Sequence, residues 1–210
     1  MMTMDVSSNY KKLSRSLDKL GKKQLPFAFS KTLNDTMFAV RKHVVEKTYP
    51  RSFDVRDPKF FTASMVVDKS NHRTAAGLSV TLRDKLGRGN LQLHATGGTK
   101  TGRAGRLAIP SRYTKERRGT RGVRKPLRPR EVVQKPKGFF AERFSGGSKA
   151  AIFQRYGRGA KKLRLLYTVQ RSAKIRKRFR FYEDAQRITK QVSQKLFKKN
   201  FAHAVKTARR

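Results

Sequence analysis

The imbalance between basic and acidic residues limits what this chain can fold into more than any other feature. Its 210 residues include 53 Lys and Arg but only 13 Asp and Glu, a formal net charge of +40. Self-repulsion of this size destabilises a compact monomer unless a polyanion or tightly packed neutralising partners are present. Neutralising a phosphate backbone also releases condensed counterions, whatever the base sequence. The charge therefore predicts that the chain lies close to nucleic acid.

The apolar residues suffice for a modest folded core. They make up 36% of the chain and include 14 Phe and 6 Tyr, below the roughly 45–50% apolar share of an average globular protein. The absence of Cys excludes disulfides and thiolate metal sites. The chain has no run of 18 apolar residues, and its beginning, MMTMDVSSNYKKL, lacks an apolar signal core. We expect a single domain, over residues 1–210, that is not exported and does not bind a membrane.

Three stretches have the period of a helix. Apolar residues recur every three or four positions from Val6 to Leu20, which predicts an N-terminal helix over 1–21 that ends at Gly21. A second helix is predicted over 25–48, stopping before Pro50 because the residue before a proline avoids the α region. Its expected core positions are Phe29, Leu33, Met37, Val40 and Val44. A C-terminal helix is predicted over 180–206.

Between these helices the period changes to two, as in β-strands. The segments FFTASMVVDKS, GLSVTLRD and LQLHATGG predict a three-stranded meander, so that 25–96 is a helix plus a β-meander. The segment AIFQRYGRGAKKLRLLYTVQRSAKI predicts a hairpin around a GRGAKK turn, and FFAERF near Phe139 predicts a short amphipathic helix. Residues 138–210 then contain the hairpin and the C-terminal helix. The expected fold class is α+β, with a small antiparallel sheet of four to six strands packed against the two long helices.

The segment 97–137 differs from the rest of the chain in composition. It is rich in Gly, Pro, Lys and Arg, and its only acids are Glu116 and Glu131. Apart from the short LAIP stretch it has too little apolar area to offset the entropy of ordering the chain. The composition therefore predicts an extended basic arm over 97–137, of which residues 100–130 become ordered only in an assembled particle.

Two basic segments are the candidate binding sites, for nucleic acid or for acidic partner proteins. Basic side chains before a helix N-terminus oppose the helix dipole, so local stability does not explain the second segment, whereas phosphate contact does. Acidic protein surfaces remain an alternative partner, because charge complementarity also operates between proteins. The first segment consists of Lys100, Arg103, Arg106, Arg112, Lys115, Arg117, Arg118, Arg121, Arg124, Lys125, Arg128 and Arg130. The second consists of Arg171, Lys174, Arg176, Lys177, Arg178 and Arg180.

The residues give no pattern of catalysis. None of the four His has an acidic neighbour at metal-ligand spacing, and the carboxylates are scattered along the chain. We therefore expect no enzyme activity, no metal and no cofactor. The chain also has no helix–turn–helix, zinc-finger or RNA-recognition signature, and Tyr113 is the only aromatic residue of the arm. The expected contact is with the phosphates of double-stranded DNA rather than with its bases.

Three stretches resemble the minor tail protein Z family of tailed bacteriophages, also called tail-completion or neck proteins. LPFAFSKTLNDTMFAVRKHVVE resembles the family's opening helix, in which a Leu-Pro-aromatic/Ala start leads through a small–Leu–Asn–x–Thr segment. HATGGTKTGRAGRLAIPSR resembles its His-x-x-Gly-Gly … Leu-Ala-Ile-Pro strand, basic turn and strand. AIFQRYGRGAKKLRLLYTVQRSAKI resembles its Phe-x-Arg-x-Gly … Leu-x-x-Leu-Tyr hairpin. In order and approximate spacing, the three span about residues 25–205.

The resemblance implies a non-enzymatic structural virion protein at the head–tail junction. Such proteins form homo-oligomeric rings and help to complete a tail or to join it to the DNA-filled head, beside portal, adaptor or tail proteins. The implied location is the virion tail or neck, and the host cytoplasm during assembly. Two alternatives stay open at this stage: a cellular or ribosomal-type nucleic-acid-binding protein, and an internal capsid protein that contacts the packaged genome.

Overall fold

A computed structural model of the chain describes residues 2–7, 19–71, 78–102, 106–119, 122–134, 139–143 and 150–208. These residues pack into two units. Unit 1 consists of Met1–Gly97 together with Lys177–Arg210, and unit 2 is the intervening Gly98–Arg176. Helices are combined with small antiparallel sheets, so the predicted α+β fold class is confirmed.

The helices of the described chain are, in order, α1 (Lys19–His43), α2 (Tyr49–Ser52), α3 (Pro58–Ser64), α4 (Gly89–Thr96), α5 (Arg112–Glu116), α6 (Pro129–Val133) and α7 (Phe181–Ala208). A π-helical segment, Val44–Thr48, joins α1 to α2, and short 3-10 turns lie at Lys125–Leu127 and Arg158–Ala160.

The strands of the described chain pair only with antiparallel neighbours, in sheets ordered β1–β3–β2, β5–β10–β9–β8, β11–β4 and β6–β7. They are β1 (Thr3–Ser7), β2 (Met65–Asp68), β3 (Ser79–Asp84), β4 (Gly98–Thr101), β5 (Leu107–Pro110), β6 (Arg118–Gly119), β7 (Gly122–Val123), β8 (Phe139–Arg143), β9 (Ala150–Tyr156), β10 (Lys162–Gln170) and β11 (Ser172–Ile175).

The core of unit 1 forms where α1 and α7 pack on the β1–β3–β2 sheet. The predicted apolar stripe of α1 points into it: Leu33, Met37, Val40 and Val44 are buried, and Phe29 packs against the same cluster. Phe181 and Ala185 supply the matching face of α7. The presence of the two long helices and the core positions of the first were therefore predicted correctly, although α1 begins at Lys19 and not at residue 25.

Polar contacts set the register between the two long helices. Asn200 of α7 donates a hydrogen bond to Asp35 of α1 at 2.9 Å and another to Thr32 at 3.2 Å. Near the other end of the pair, the Thr48 hydroxyl donates to the carboxylate of Asp184 at 2.8 Å. Positions late in one helix meet positions early in the other, so the helices run antiparallel.

The predicted end of the second helix before Pro50 is wrong. The chain stays helical to Ser52, but the segment just before the proline widens to a π-helix, in which the Tyr49 N–H donates to the Val44 carbonyl. In a regular α-helix the proline ring would clash with the carbonyl four residues earlier. The wider turn relieves this conflict, and Pro50 then occupies the first turn of α2, where it is tolerated.

The predicted N-terminal helix over 1–21 is wrong where the structure describes it. Residues Thr3–Ser7 form strand β1, which pairs with β3 through partners such as Met4 and Leu82. Met2 and Met4 are separated by one polar residue, and this alternation fits a strand. Over so few residues, the period of two of a strand is difficult to distinguish from the period of 3.6 of a helix. Gly21 does not end a helix but lies inside α1. The intervening residues 8–18 lie outside the described part of the chain.

Two of the three strands predicted between 59 and 98 contain helix instead. The first half of FFTASMVVDKS is α3, which Asp57 caps by accepting a hydrogen bond from the Phe60 N–H at 3.2 Å. LQLHATGG forms most of α4, whose buried residues Leu91 and Ala95 are four positions apart and so share one helical face. Among the described residues, β2 and β3 of the predicted meander are present, and β1 pairs with the other edge of β3.

Unit 2 is built on the predicted hairpin. Strands β9 and β10 pair from Lys162 opposite Tyr156 onward, as the GRGAKK turn predicts. The predicted amphipathic helix at FFAERF is wrong, because Phe139–Arg143 forms β8 and pairs with β9 along its length. A small core of Val132, Ile152, Leu166 and Tyr167 lies on this sheet.

The expectation of an extended arm over 97–137 is wrong for most of that segment. Strands β4 and β5 pair with β11 and β10, and the Tyr167 hydroxyl donates to the Leu127 carbonyl at 2.7 Å. Val132 of α6 is fully buried. The composition of this segment did not predict that it folds, because backbone pairing does not depend on side chains. The neighbouring hairpin also supplies apolar area that the segment itself lacks.

Gly102 provides a test of the packing between β4 and β5. Its N–H donates to the Arg171 carbonyl at 3.1 Å, and a Cβ added there would lie 2.2 Å from the carbonyl carbon of Arg106. We expect Gly102→Ala to lower the free energy of unfolding by about 2 kcal/mol, because the backbone must shift. Gly119→Ala is the control, since its Cβ would meet nothing closer than 3.9 Å. Equal thermal stability of the two variants would contradict this expectation.

Candidate polyanion interface

The basic residues predicted in unit 2 lie on a folded surface rather than on a free arm. Lys100 is half-buried in β4, and the other described members of the first segment are exposed. They lie just before β5, in and directly after α5, in β6, and in the segment 124–130 that leads into α6. Arg103 and Arg121 lie outside the described residues. The exposed members are Arg106, Arg112, Lys115, Arg117, Arg118, Arg124, Lys125, Arg128 and Arg130.

One exposed ion pair is formed within this set. Arg112 donates to the Glu116 carboxylate at 2.8 Å, one turn along α5, and the Arg112 side chain is 93% exposed. Solvent screens such an exposed pair, so the guanidinium can exchange its carboxylate for a phosphate at little cost. Arg118 lies near a core tyrosine: burial raises the pKa of Tyr167, and the charge of Arg118 partly offsets that rise.

The second basic segment is divided between the units. Arg171, Lys174 and Arg176 belong to the end of unit 2, whereas Lys177, Arg178 and Arg180 lead into α7 in unit 1. All six side chains are exposed.

The segment before α7 is extended, with a buried aromatic residue among its cations. The N–H groups of Arg178 and Phe179 both donate to the His94 carbonyl, at 3.0 and 2.9 Å, which holds the segment against α4. Phe179 is fully buried, whereas Arg178 and Arg180 on either side of it are exposed. The core of unit 1 therefore fixes the direction in which these arginines leave the surface.

Lys177 has a local partner that the sequence analysis did not foresee. It forms an ion pair with Glu183 in the first turn of α7. Its hydrogen bond lowers the pKa of the Glu183 carboxyl, and the charge of Arg180 adds to this effect. The acidic first turn of α7 therefore explains Lys177 and favours Arg180, and it leaves Arg178 as the cation between them that these contacts do not explain.

A stack of arginine and tyrosine side chains lies on the hairpin face of unit 2. The guanidinium carbon of Arg117 is 3.6 Å from the centre of the Tyr113 ring, and that of Arg164 is 4.0 Å from the same centre. Arg164 also lies 3.9 Å from the Tyr156 ring centre. We name these four residues the Arg–Tyr stack.

Local structure explains how the four side chains meet. Arg117 follows Tyr113 by one helical turn, and such residues are neighbours on a helix surface. Arg164 pairs with Gln154 across the hairpin, which makes Tyr156 its diagonal neighbour on the same face. Sequence reasoning missed Arg164 and Tyr156, because it predicted the hairpin but not the register that brings these two residues together.

The described residues of the basic segments present guanidinium and ammonium groups as hydrogen-bond donors. Among them, no three His, Asp or Glu side chains are close enough together to hold a metal ion. An open depression of about 320 Å³ beside α1 is lined in part by Phe27, Lys31, Phe38 and Lys69. No helix in the described part of the chain is both long and apolar enough to cross a bilayer.

The class that fold and surface define is a basic α+β protein whose exposed cations far outnumber its carboxylates. No protein-family model matches this chain, and no curated protein or solved structure matches it.

Proposed function

We propose that this chain is a structural virion protein of a tailed bacteriophage, forming a ring at the head–tail junction with its basic segments facing duplex DNA or acidic neighbouring proteins. The observation that supports binding to DNA or to acidic proteins is the excess of positive charge in unit 2. Residues 98–176 contain 24 Lys and Arg but only three acids, Glu116, Glu131 and Glu142. Even if every acid were paired, most of these cations would need a partner outside the unit.

These cations lie on a folded surface, and this also supports the proposal. Nine exposed cations of the first segment are attached to elements that pair or pack within unit 2. A surface that is ordered before binding does not lose backbone entropy on meeting its partner, as a disordered arm does. Cations held in a fixed array therefore favour tight binding to a regular polyanion.

The place in the particle is supported by the three motifs that resemble the tail-completion family. The first motif lies within α1 and the π-helical segment that follows it, and the third forms β9, β10 and β11. The second motif contains β4 and β5, joined by the basic stretch 102–106. A helix, two short strands and a hairpin are therefore the elements that the structure forms from the three motifs.

Salt-dependent binding to duplex DNA tests the role of unit 2. We expect the wild-type chain to bind duplexes of unrelated sequence equally, with log K falling linearly with log salt concentration. Replacing Arg118, Arg124, Lys125 and Arg130 together by Ser removes four exposed cations of unit 2. The slope should become shallower by about 0.9 for each phosphate that the variant no longer neutralises. Fluorescence anisotropy over a salt series measures both quantities.

A matched variant controls for net charge alone. Replacing Lys42, Lys47, Lys59 and Lys85 by Ser removes the same charge from exposed positions of unit 1. We expect a smaller change of slope in this control. Equal changes in the two variants would mean that binding follows total charge and not the surface of unit 2.

The ring and the location require a separate experiment. Native mass spectrometry and negative-stain electron microscopy of the purified chain should show closed rings, and the protein should be present at low copy number in purified particles. A monomer that sediments with ribosomes and prefers duplex RNA would instead support the ribosomal alternative. High copy number without ring symmetry would support an internal capsid protein.

A further inference from the structure

We infer that the Arg–Tyr stack (Tyr113, Arg117, Tyr156 and Arg164) is a preorganised phosphate clamp through which unit 2 grips the backbone of duplex DNA. The inference rests on the proposed function and gives it a specific site. Three of the four residues, Tyr113, Tyr156 and Arg164, belong to neither basic segment, so the clamp is not a restatement of the charge runs.

The first argument is the geometry of the two guanidinium groups. Both lie over the Tyr113 ring, at 3.6 and 4.0 Å from its centre, so they can be no farther apart than the sum of these distances. A guanidinium that stacks with its plane on a ring keeps its N–H edge free to donate two parallel hydrogen bonds. Two such edges held close together can contact one phosphate or two successive phosphates.

The platform beneath these groups is rigid. Ser111 caps α5, and its N–H donates to the Leu166 carbonyl at 2.8 Å. The buried Thr114 hydroxyl donates to the same carbonyl at 2.9 Å. Both bonds fix α5, and with it Tyr113, on strand β10, which also carries Arg164. The side chains therefore meet without a loop movement, and little ordering entropy remains to be lost on binding.

The second argument is the missing counterion. Among the residues that the structure describes, neither Arg117 nor Arg164 forms a salt bridge with a carboxylate. Two like charges that lie this near to the same ring repel each other, and an anion that both N–H edges can reach reduces this cost. The arrangement is therefore unfavourable when empty and favourable when it holds a doubly accepting anion such as a phosphate.

The chemistry of the stack favours the backbone of a duplex over bases or a protein surface. The tyrosine rings are occupied by arginines, so they are not free to stack on the bases of a single strand. Exposed cations at Arg112, Lys115 and Lys162 extend the positive surface around the stack. Duplex DNA carries one charge for roughly every 1.7 Å of its axis. Its closely spaced phosphates can therefore contact many cations of this surface at the same time.

The test separates the shape of the guanidinium from its charge. The double variant Arg117→Lys with Arg164→Lys keeps both charges but loses the planar fork and its stacking. We expect its dissociation constant for duplex DNA at about 150 mM salt to rise about ten-fold, with the salt slope unchanged, because the number of cations is the same. Arg158→Lys, an exposed arginine in the hairpin turn, is the control and should change affinity less than two-fold.

A second pair of variants tests the platform. Tyr113→Phe keeps the ring and should bind as the wild type does, whereas Tyr113→Leu removes it and should weaken binding about five-fold. Circular dichroism of each variant shows whether unit 2 remains folded. If Tyr113→Leu loses stability, the affinity of Tyr113→Phe still shows whether the ring without its hydroxyl supports wild-type binding.

The outcomes distinguish this inference from the proposed function. If the wild type binds duplex DNA with a steep salt slope but the double Lys variant matches Arg158→Lys, the clamp is refuted and the proposed function stands. If the double variant loses more affinity for poly-glutamate than for duplex DNA, the partner is an acidic protein, and the phosphate assignment is refuted. If the wild type binds neither duplex DNA nor poly-glutamate, both the clamp and the proposed function are refuted.

Discussion

Replacing Phe179 by Ala is expected to lower the free energy of unfolding of unit 1 by about 4 kcal/mol, as for other fully buried phenylalanines. Its ring lies at the centre of an aromatic cluster, 5.5 Å from the Phe53 ring, 5.8 Å from Phe181 and 6.4 Å from Phe61, measured between centroids. The cavity left by Ala cannot collapse easily, because these rings belong to three separate parts of the chain: the residue after α2, helix α3 and helix α7. Urea unfolding followed by circular dichroism measures the loss.

Phe60→Ala is the matched control for this substitution. Phe60 belongs to the same unit, but its side chain is 51% exposed. Removing its ring should cost about 1 kcal/mol or less, because little apolar area returns to water. A loss below about 1 kcal/mol for Phe179→Ala would mean that the basic segment 176–180 is not anchored by its aromatic residue.

Replacing Asp84 by Ala is expected to cost about 3 kcal/mol, because it leaves the Arg88 guanidinium without its partner at a largely buried position. The side chain of Asp84 is 1% exposed and accepts two hydrogen bonds from the Arg88 fork, at 2.9 and 3.0 Å. The backbone N–H groups of Leu86 and Arg88 donate to the same carboxylate. Arg88 also donates to Ser64 at 2.8 Å, so the cluster joins the end of β3 to α3.

The effect of this variant should depend on pH. Burial alone raises the pKa of the Asp84 carboxyl, but the hydrogen bonds from Arg88 and Leu86 outweigh it and hold the pKa below its usual value. A lowered folded pKa stabilises the native state fully above the unfolded value of about 4. That stabilisation is lost as the pH falls through the folded value. The stability difference between wild type and Asp84→Ala should therefore be constant from about pH 7 to 5 and shrink on further acidification.

Asp68→Ala is the control for the buried carboxylate. Asp68 also pairs with an arginine, Arg83, but its side chain is 47% exposed. The expected loss is at most about 1 kcal/mol. A difference between wild type and Asp84→Ala that grows toward low pH would contradict the assigned direction of the pKa shift.

Local periodicity was a reliable guide where a segment was long and one face of it was apolar. The stripe from Phe29 to Val44 and the one that begins at Phe181 predicted α1 and α7, because a repeat near 3.6 over many residues fits no other structure. The β9–β10 hairpin was predicted for a related reason, since its turn residues and its two alternating runs agree. Where a segment was short, as in β1, α4 and β8, both periods fitted and the neighbouring elements decided the outcome.

The sequence by itself determined the α+β class, the two long helices, the hairpin and the large excess of positive charge, because these follow from the order and type of residues along the chain. Only the tertiary structure decided that the basic segment 97–137 is folded, since its stability comes from strands and apolar residues more than twenty positions away. The Arg–Tyr stack was decided in the same way. Tyr113 and Arg164 are 51 positions apart, and only the attachment of α5 to β10 brings their side chains together.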